Sequence, residues 1–242
     1  MTAMRARGVF FDLYGTLLVY GNMRTAWKAW EDEMHAILRR RGAGWSKRET
    51  IKRTATFFSG KSQALRANGL TVYERRIRTL ATSAGLSLSS PDIRRIATRT
   101  IAVWQRHIPP DPSAAQVVRE LARRGKILAL VTNYDHPPHV RLMLRRMRIT
   151  RFFRAVIVSG AVGLKKPDPG IFRLALRKCG LKAGEVVFVG DSPEDVRGAL
   201  ATGIRPVLIR RTRQATPFGD PARAPRGTVR IRRLGKLLTL LA

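Results

Sequence analysis

A chain of 242 residues, 44% of them apolar, is long enough to bury one large α/β core with or without a small insertion. Lys+Arg 47 against Asp+Glu 16 gives a net charge of +31, with only 10 lysines among the 47; such a field draws in phosphates, nucleic acid or anionic surfaces and is silent about the fold. The one cysteine, Cys179, excludes an internal disulfide, and no run of 18 uninterrupted apolar residues exists to suggest a transmembrane helix.

The first apolar run, Gly8–Leu13, reads as a strand. Arg5 and Arg7 precede it as they would in a signal peptide, but Asp12 interrupts the run and no small-residue cleavage site follows, so a cytoplasmic protein is expected. Helical spacing then covers Thr25–Arg40, Lys47–Phe58, Val72–Ala84 and Pro91–Arg106, with Ser90 predicted as the N-cap of the last and Pro91 in its first turn. Pro109-Pro110-Asp111-Pro112 reads as a linker. Beyond it, helical patterns at Ala114–Arg124, Pro138–Met147, Gly170–Cys179, Glu194–Ala201 and Leu234–Leu241 alternate with apolar runs at Ile127–Thr132, Arg154–Val158, Val186–Gly190, Pro206–Ile209 and Thr228–Ile231. Arg213–Gly227, rich in Arg, Pro and Gly, is predicted to be an irregular loop.

Short runs that are apolar on both faces and separated by helices predict an α/β fold, a Rossmann-like doubly wound parallel sheet with right-handed crossovers. About 110 residues separate the first strand from the second, too many for one crossover. Residues 20–108 are therefore expected to form an inserted helical module, and residues 1–19 and 109–242 the core domain.

A carboxylate at the end of a buried strand, as in Asp12-Leu13-Tyr14-Gly15-Thr16, needs a cation or donors to compensate its lost hydration. The candidates stand at or beyond the ends of later strands: Thr132-Asn133, Lys166-Pro167, and Gly190-Asp191-Ser192 with Asp195. Open α/β sheets bind ligands beyond the carboxyl ends of their strands, so the fold would gather these residues into one active site. Neighbouring carboxylates repel unless a cation separates them, and a hard divalent ion such as Mg2+ is the natural oxygen-bound choice. Carboxylates, a lysine and a hydroxyl around that ion would make a phosphoryl-transfer site. Taken alone, Asp191–Asp195 also reads as an acidic helix N-terminus favoured by the helix dipole.

These motifs, in this order, resemble the haloacid dehalogenase superfamily of hydrolases: Asp-x-x-Gly-Thr, then Thr/Ser-Asn, then Lys-Pro, then Gly-Asp with a second acid soon after. The helical insertion looks like that family's cap domain. The resemblance implies that Asp12 is the nucleophile, forming an aspartyl-phosphate that water hydrolyses, that Thr132 holds the phosphoryl oxygens through its hydroxyl, and that Asn133 offers an amide or backbone N–H. It implies that Lys166 neutralises Asp12 and the transferring group, while Lys165 faces solvent. Asp191, Asp12 and the backbone carbonyl of Tyr14 would bind Mg2+, with Asp195 supporting the metal or its waters and Glu194 a weaker candidate.

One position departs from the pattern. Phosphatases of the family usually carry a second Asp two residues after the nucleophile, as acid and then base; here it is Tyr14, a possible surrogate whose reference pKa is about 10. Tyrosine at this place resembles the 2-haloacid dehalogenases, which need neither a general acid nor magnesium. The Asp191/Asp195 pair points back to a metal site, so a small phosphorylated metabolite is the expected substrate, with slow turnover of alkyl phosphates. A metal-free dehalogenase is the alternative, and a non-catalytic nucleic-acid binder a third that rests on the +31 charge alone. No membrane association is expected, and the oligomeric state is left open. Of the remaining residues, Tyr134-Asp135-His136-Pro137-Pro138-His139 directly follows Thr-Asn and is expected at the entrance of the site, with His136 read as polar loop before metal ligand. Trp27, Trp30 and Trp104 read as core packing before a stacking site, Arg39-Arg40-Arg41 as a solvated face, and Cys179 as a buried structural thiol.

Overall fold

Six strands, β1 (Gly8–Phe11), β2 (Ile127–Thr132), β3 (Phe153–Val158), β4 (Val186–Gly190), β5 (Arg205–Ile209) and β6 (Val229–Ile231), form one sheet in the order β3-β2-β1-β4-β5-β6. Every neighbouring pair is parallel. The computed structural model describes residues 4–59, 69–211, 225 and 228–241. The expected loop Arg213–Gly227 lies outside the described residues apart from Pro225.

Period-two alternation assigns each strand residue to a layer. Val9 and Phe11 join one apolar cluster with α5 (Ala114–Arg123), α6 (Pro137–Arg146) and α10 (Leu237–Leu240). Phe10 faces the other side, against α8 (Pro169–Cys179) and α9 (Pro193–Leu200). Because both faces are covered, the strands are continuous apolar runs. A short helix that the pattern did not foretell, α7 (Ser159–Val162), follows β3 and ends at Gly163, whose φ of 74° suits glycine. Cys179 is buried at the end of α8, and burial raises its thiol pKa.

The chain steps from β1 through β2 to β3, then returns to place β4 on the far side of β1. The reversal leaves a crevice between the ends of β1 and β4, the usual ligand position in such sheets. Phe11 pairs with Val189, and the Asp12 N–H donates to the Val189 carbonyl at 2.9 Å, so both strands end side by side.

Between β1 and β2 run α1 (Met23–Arg40), α2 (Lys47–Thr54), α3 (Val72–Ser83) and α4 (Ser90–Gln105), with their own apolar cluster around Trp30, Met34, Ile77 and Ile93. Side-chain caps start them: Asn22, Ser46 and Ser89 each accept a backbone N–H three residues on, and Thr71 forms a capping box with Glu74. The N-cap of α4 is Ser89, one residue before the predicted Ser90; it keeps extended dihedrals and its Oγ reaches the Asp92 N–H. Helix α2 ends at Thr54, short of the predicted Phe58, and Phe57 then packs on the rings of Trp30 and Tyr73 at 5.1 and 5.4 Å. The chain enters and leaves this region along paired segments, Val19 N–H to Pro109 O at 2.8 Å and Gly21 N–H to His107 O at 2.9 Å. Among the described residues, no helix is long and apolar enough to cross a membrane.

Candidate active site

Asp12 follows β1 and is 5% exposed. The turn after it passes through Gly15 at φ 84°, where any Cβ would collide with the Asp191 carboxylate, so only glycine allows this approach. The Arg211 guanidinium holds the turn from outside, donating to the carbonyls of Gly15 and Thr16 while pairing with Asp111 at 2.6 Å. Thr132 closes β2 and is buried, and Asp191 follows Gly190 at the end of β4.

The structure brings the distant acids together. Carboxylate oxygens of Asp12, Asp191 and Asp195 lie within 4.8 Å of one another, all buried. Lys166 Nζ stands 2.6 Å from Asp12 Oδ1 and 2.5 Å from Asp195 Oδ1, with only 3% of its surface exposed. Burial pushes the Asp12 pKa up to about 6, against the pull of Lys166 and with the repulsion of Asp195. Asp191 is driven well above the ordinary carboxylate range, by burial first and then by Asp195 and Asp12. Burial opposes the charge on Lys166, but Asp12 and Asp195 outweigh it and raise its pKa. Three carboxylates against one ammonium leave an excess of two negative charges when all are ionised. This buried set of hard oxygens fits a divalent cation.

Asp195 has a second task that matches the helix-start reading of its motif. Its Oδ2 accepts from the N–H of Asp191, the N–H of Ser192 and the Ser192 hydroxyl at 3.1, 3.0 and 2.8 Å, closing the capping box of α9. Of the two groups expected of Asn133, an amide or a backbone N–H, the side-chain amide is engaged elsewhere. Its amide makes a reciprocal pair with the Lys166 backbone, Nδ2 to the carbonyl at 3.0 Å and Oδ1 from the N–H at 2.8 Å, and also reaches Glu194 at 3.3 Å. The side chain therefore positions the lysine. Lys165 is exposed, as expected.

The Tyr14 ring stacks on Tyr134 at 4.9 Å and 15° and lies 5.4 Å from Trp104. Its hydroxyl donates to Gln105 Oε1 at 3.0 Å, and burial raises its pKa far above the ordinary phenol value. Above Asp12 opens a cavity of about 250 Å³, with Asp12, Thr132, Lys166 and Asp191 in its lining. Trp27, Trp30 and Trp104, read from sequence as core, all border this cavity, although Trp30 also belongs to the core of the helical region and Trp104 packs against both that core and the sheet's. His136 is held by Thr71 at 2.9 Å, outside the acidic cluster. Arg40 and Arg41 pair with Glu33 and Asp92 at 3.9 and 2.8 Å, away from the cavity lining.

Sequence reasoning missed Gln105, Asp111 and Arg211, whereas the segment from Tyr134 was expected to line the entrance, and Tyr134 and Asp135 do border the cavity. Asp111 stood inside the recognised proline linker; Gln105 and Arg211 carried no local signal.

A family model described as haloacid dehalogenase-like hydrolase matches residues 6–203. The chain is 37% identical over 150 residues to the phosphoserine phosphatase of Thermus thermophilus, a match covering 61% of this chain and 59% of that protein. It thus spans less than two thirds of that relative. Among solved structures, a 2-haloacid dehalogenase from Pseudomonas syringae pv. Tomato DC3000 superposes with a TM-score of 0.68 at 23% identity, covering 98% of both chains. A HAD phosphatase from Thermococcus onnurineus superposes with a TM-score of 0.67 at 25% identity, covering 99% of this chain and 98% of that one. Dehalogenase and phosphatase fit the fold equally well, so the choice of chemistry rests on the site.

Proposed function

The chain belongs to the haloacid dehalogenase-like hydrolases, and from that premise we propose that it is a Mg2+-dependent phosphoryl hydrolase acting on a small phosphorylated metabolite. The observation that carries this reading is the buried triad of Asp12, Asp191 and Asp195 with a single lysine among them. A metal-free dehalogenase would have to bring a carboxylate substrate into that excess of negative charge, which costs a great deal without a screening cation. Phosphatase relatives support the same choice.

Asp12, Asp191 and the Tyr14 carbonyl would hold the ion, with Asp195 behind them. Bound there, it would supply positive charge to the phosphoryl oxygens as negative charge builds on them. The Asp12 carboxylate attacks phosphorus; an O–P bond forms, the bond to the leaving oxygen breaks, and that oxygen departs with the bonding pair. Water then attacks the aspartyl-phosphate, releasing inorganic phosphate and restoring Asp12. Lys166 opposes the charge on Asp12 and on the transferring group. Thr132 holds a phosphoryl oxygen through its hydroxyl, and Asn133 fixes the lysine by its backbone. With its hydroxyl on Gln105 and its pKa raised, Tyr14 is a poor proton donor, so leaving groups that need little protonation are favoured.

Residues 20–108 are proposed as a cap domain over residues 1–19 and 109–242, closing to exclude water and complete the substrate pocket. A buried lone thiol suits a reducing compartment, and the cytoplasm is the proposed setting. The test is turnover of 4-nitrophenyl phosphate with Mg2+ and with EDTA, using Asp12→Asn as control. Activity untouched by chelation, or turnover of 2-chloropropionate in its place, would refute the reading.

A further inference from the structure

We propose that the substrate carries an aromatic ring, so that the phosphoryl group is taken from an aromatic alcohol; this rests on the phosphatase reading above and names its substrate class. The walls of the cavity are rings. Tyr14, Tyr134, Trp104, Trp27, Phe58 and Tyr73 stand over the acidic floor. They form a connected cluster, with Tyr14 on Tyr134 at 4.9 Å, Tyr14 beside Trp104 at 5.4 Å, Trp104 beside Trp27 at 5.9 Å and Trp27 against Phe58 at 5.2 Å. Such a cluster presents both faces and edges, which a planar guest fills by offset or edge-on packing. An apolar cavity of roughly 150 Å³ holds benzene, so about 250 Å³ admits one ring together with a phosphoryl group.

Charge disfavours the small carboxylated alternatives. Apart from 10 lysines, the 47 basic residues are arginines, yet none of the described arginines lines the cavity. Its lysines are Lys166, held between Asp12 and Asp195, and the exposed Lys165. A phosphorylated hydroxy or amino acid would press its carboxylate against indole and phenol rings, with only the exposed, water-screened Lys165 left among the described lining cations to receive it. The leaving group points the same way. Tyr14 is committed to Gln105, and a phenol, with a pKa near ~10, departs with far less help than an alkyl alcohol.

The experiment is a tryptophan-fluorescence titration of the Mg2+-loaded protein with benzylphosphonate, cyclohexylmethylphosphonate and ethylphosphonate, none of which has a leaving group. Benzylphosphonate is expected to bind roughly tenfold more tightly than the other two, and Trp104→Leu and Trp27→Leu to bring the three toward parity. Equal affinities, a cyclohexyl compound as tight as the benzyl one, or a preference undiminished in both variants would overturn the proposal. A parallel assay compares phenyl phosphate with O-phosphoserine and phosphoglycolate. Faster turnover of the last two overturns the aromatic assignment and leaves the phosphatase reading intact. Ring preference in binding without turnover of any ester does the reverse.

Discussion

The Tyr14 hydroxyl donates a 3.0 Å hydrogen bond to Oε1 of Gln105, tying the second residue after Asp12 to the last residue of α4, 91 positions further on. The same Oε1 lies 2.9 Å from His139 Nε2, while the Gln105 amide nitrogen donates to the Ile108 carbonyl at 2.6 Å. With that amide so oriented, His139 donates from Nε2 as the neutral tautomer, and its burial, with His136 and Arg146 nearby, holds its pKa down to about 4. The arrangement uses Tyr14 as a tether between the strand ends and the helical region. Tyr14→Phe is therefore expected to keep kcat/KM for an aryl phosphate within about threefold and to lose ~1 kcal/mol of stability in urea unfolding. A loss of 10²–10³ in rate, of the size a missing proton donor produces, would contradict this assignment.

Lys166 is the one ammonium among three buried acids. Lys166→Met would strand Asp12 and Asp195 in each other's field, and breaking such a buried pair from one side costs ~3–5 kcal/mol. Phosphatase activity should fall by about 10²–10³, the size of lost preorganised charge stabilisation. Folding is checked first by urea unfolding, because a variant of full native stability would mean that the lysine is not what balances the acids.

The acids also set a pH dependence. Asp12 is raised to about 6 by burial, above an unfolded value of ~3.9, so the native state binds more protons in between. The Asp12 contribution to the stability of magnesium-free protein should thus fall as pH rises from about 4 to about 6, by up to ~3 kcal/mol at ~1.4 kcal/mol per unit of separation. Asp191, shifted the same way, adds to the trend. Glu120, held down to about 2 by Arg123 and Arg124, contributes only as pH falls through a lower window. His139, held down to about 4 by burial, and His136, also lowered, oppose the trend by costing stability as pH falls through the same window. Unfolding in EDTA is therefore compared at pH 4.5 and pH 7 for the protein and for Asp12→Asn; the same pH dependence in both would refute the sign.

Magnesium should reverse that trend. At about 100 times its Kd, a ligand that binds only the native state adds ~2.7 kcal/mol. We expect Mg2+ to raise the Tm at pH 7 and Asp191→Asn to abolish the rise. A rise retained in that variant would move the ion elsewhere.

Asn133 bonds to both backbone groups of Lys166. Asn133→Ala should let the lysine drift, lowering kcat by about 10–100-fold with KM little changed, since small misplacements of a catalytic group are costly. A raised KM at unchanged kcat would show instead that Asn133 meets the substrate.

How much of this was legible in the chain differs from residue to residue. Strand β4 was predicted to its exact ends, and the sites of Asp12, Thr132 and Asp191 were read from their positions after apolar runs. The start of α4 was off by one because Ser89 and Ser90 are both good caps, and only the backbone angles choose between them. Trp27 looked like core because helical spacing gives a residue's face and not what that face meets, whereas Trp104 does pack on the core and lines the cavity as well.

By itself, the order of residues determined the parallel sheet, the helical insertion and the set of acids at the strand ends, because period and position along a strand are properties of near neighbours. Only the tertiary structure decided that Lys166 bridges Asp12 and Asp195, that Asn133 grips Lys166, that Tyr14 answers to Gln105, and that aromatic rings roof the acids. Those contacts join residues about 30 to 150 positions apart, and a side chain's partner at that range depends on how whole layers pack.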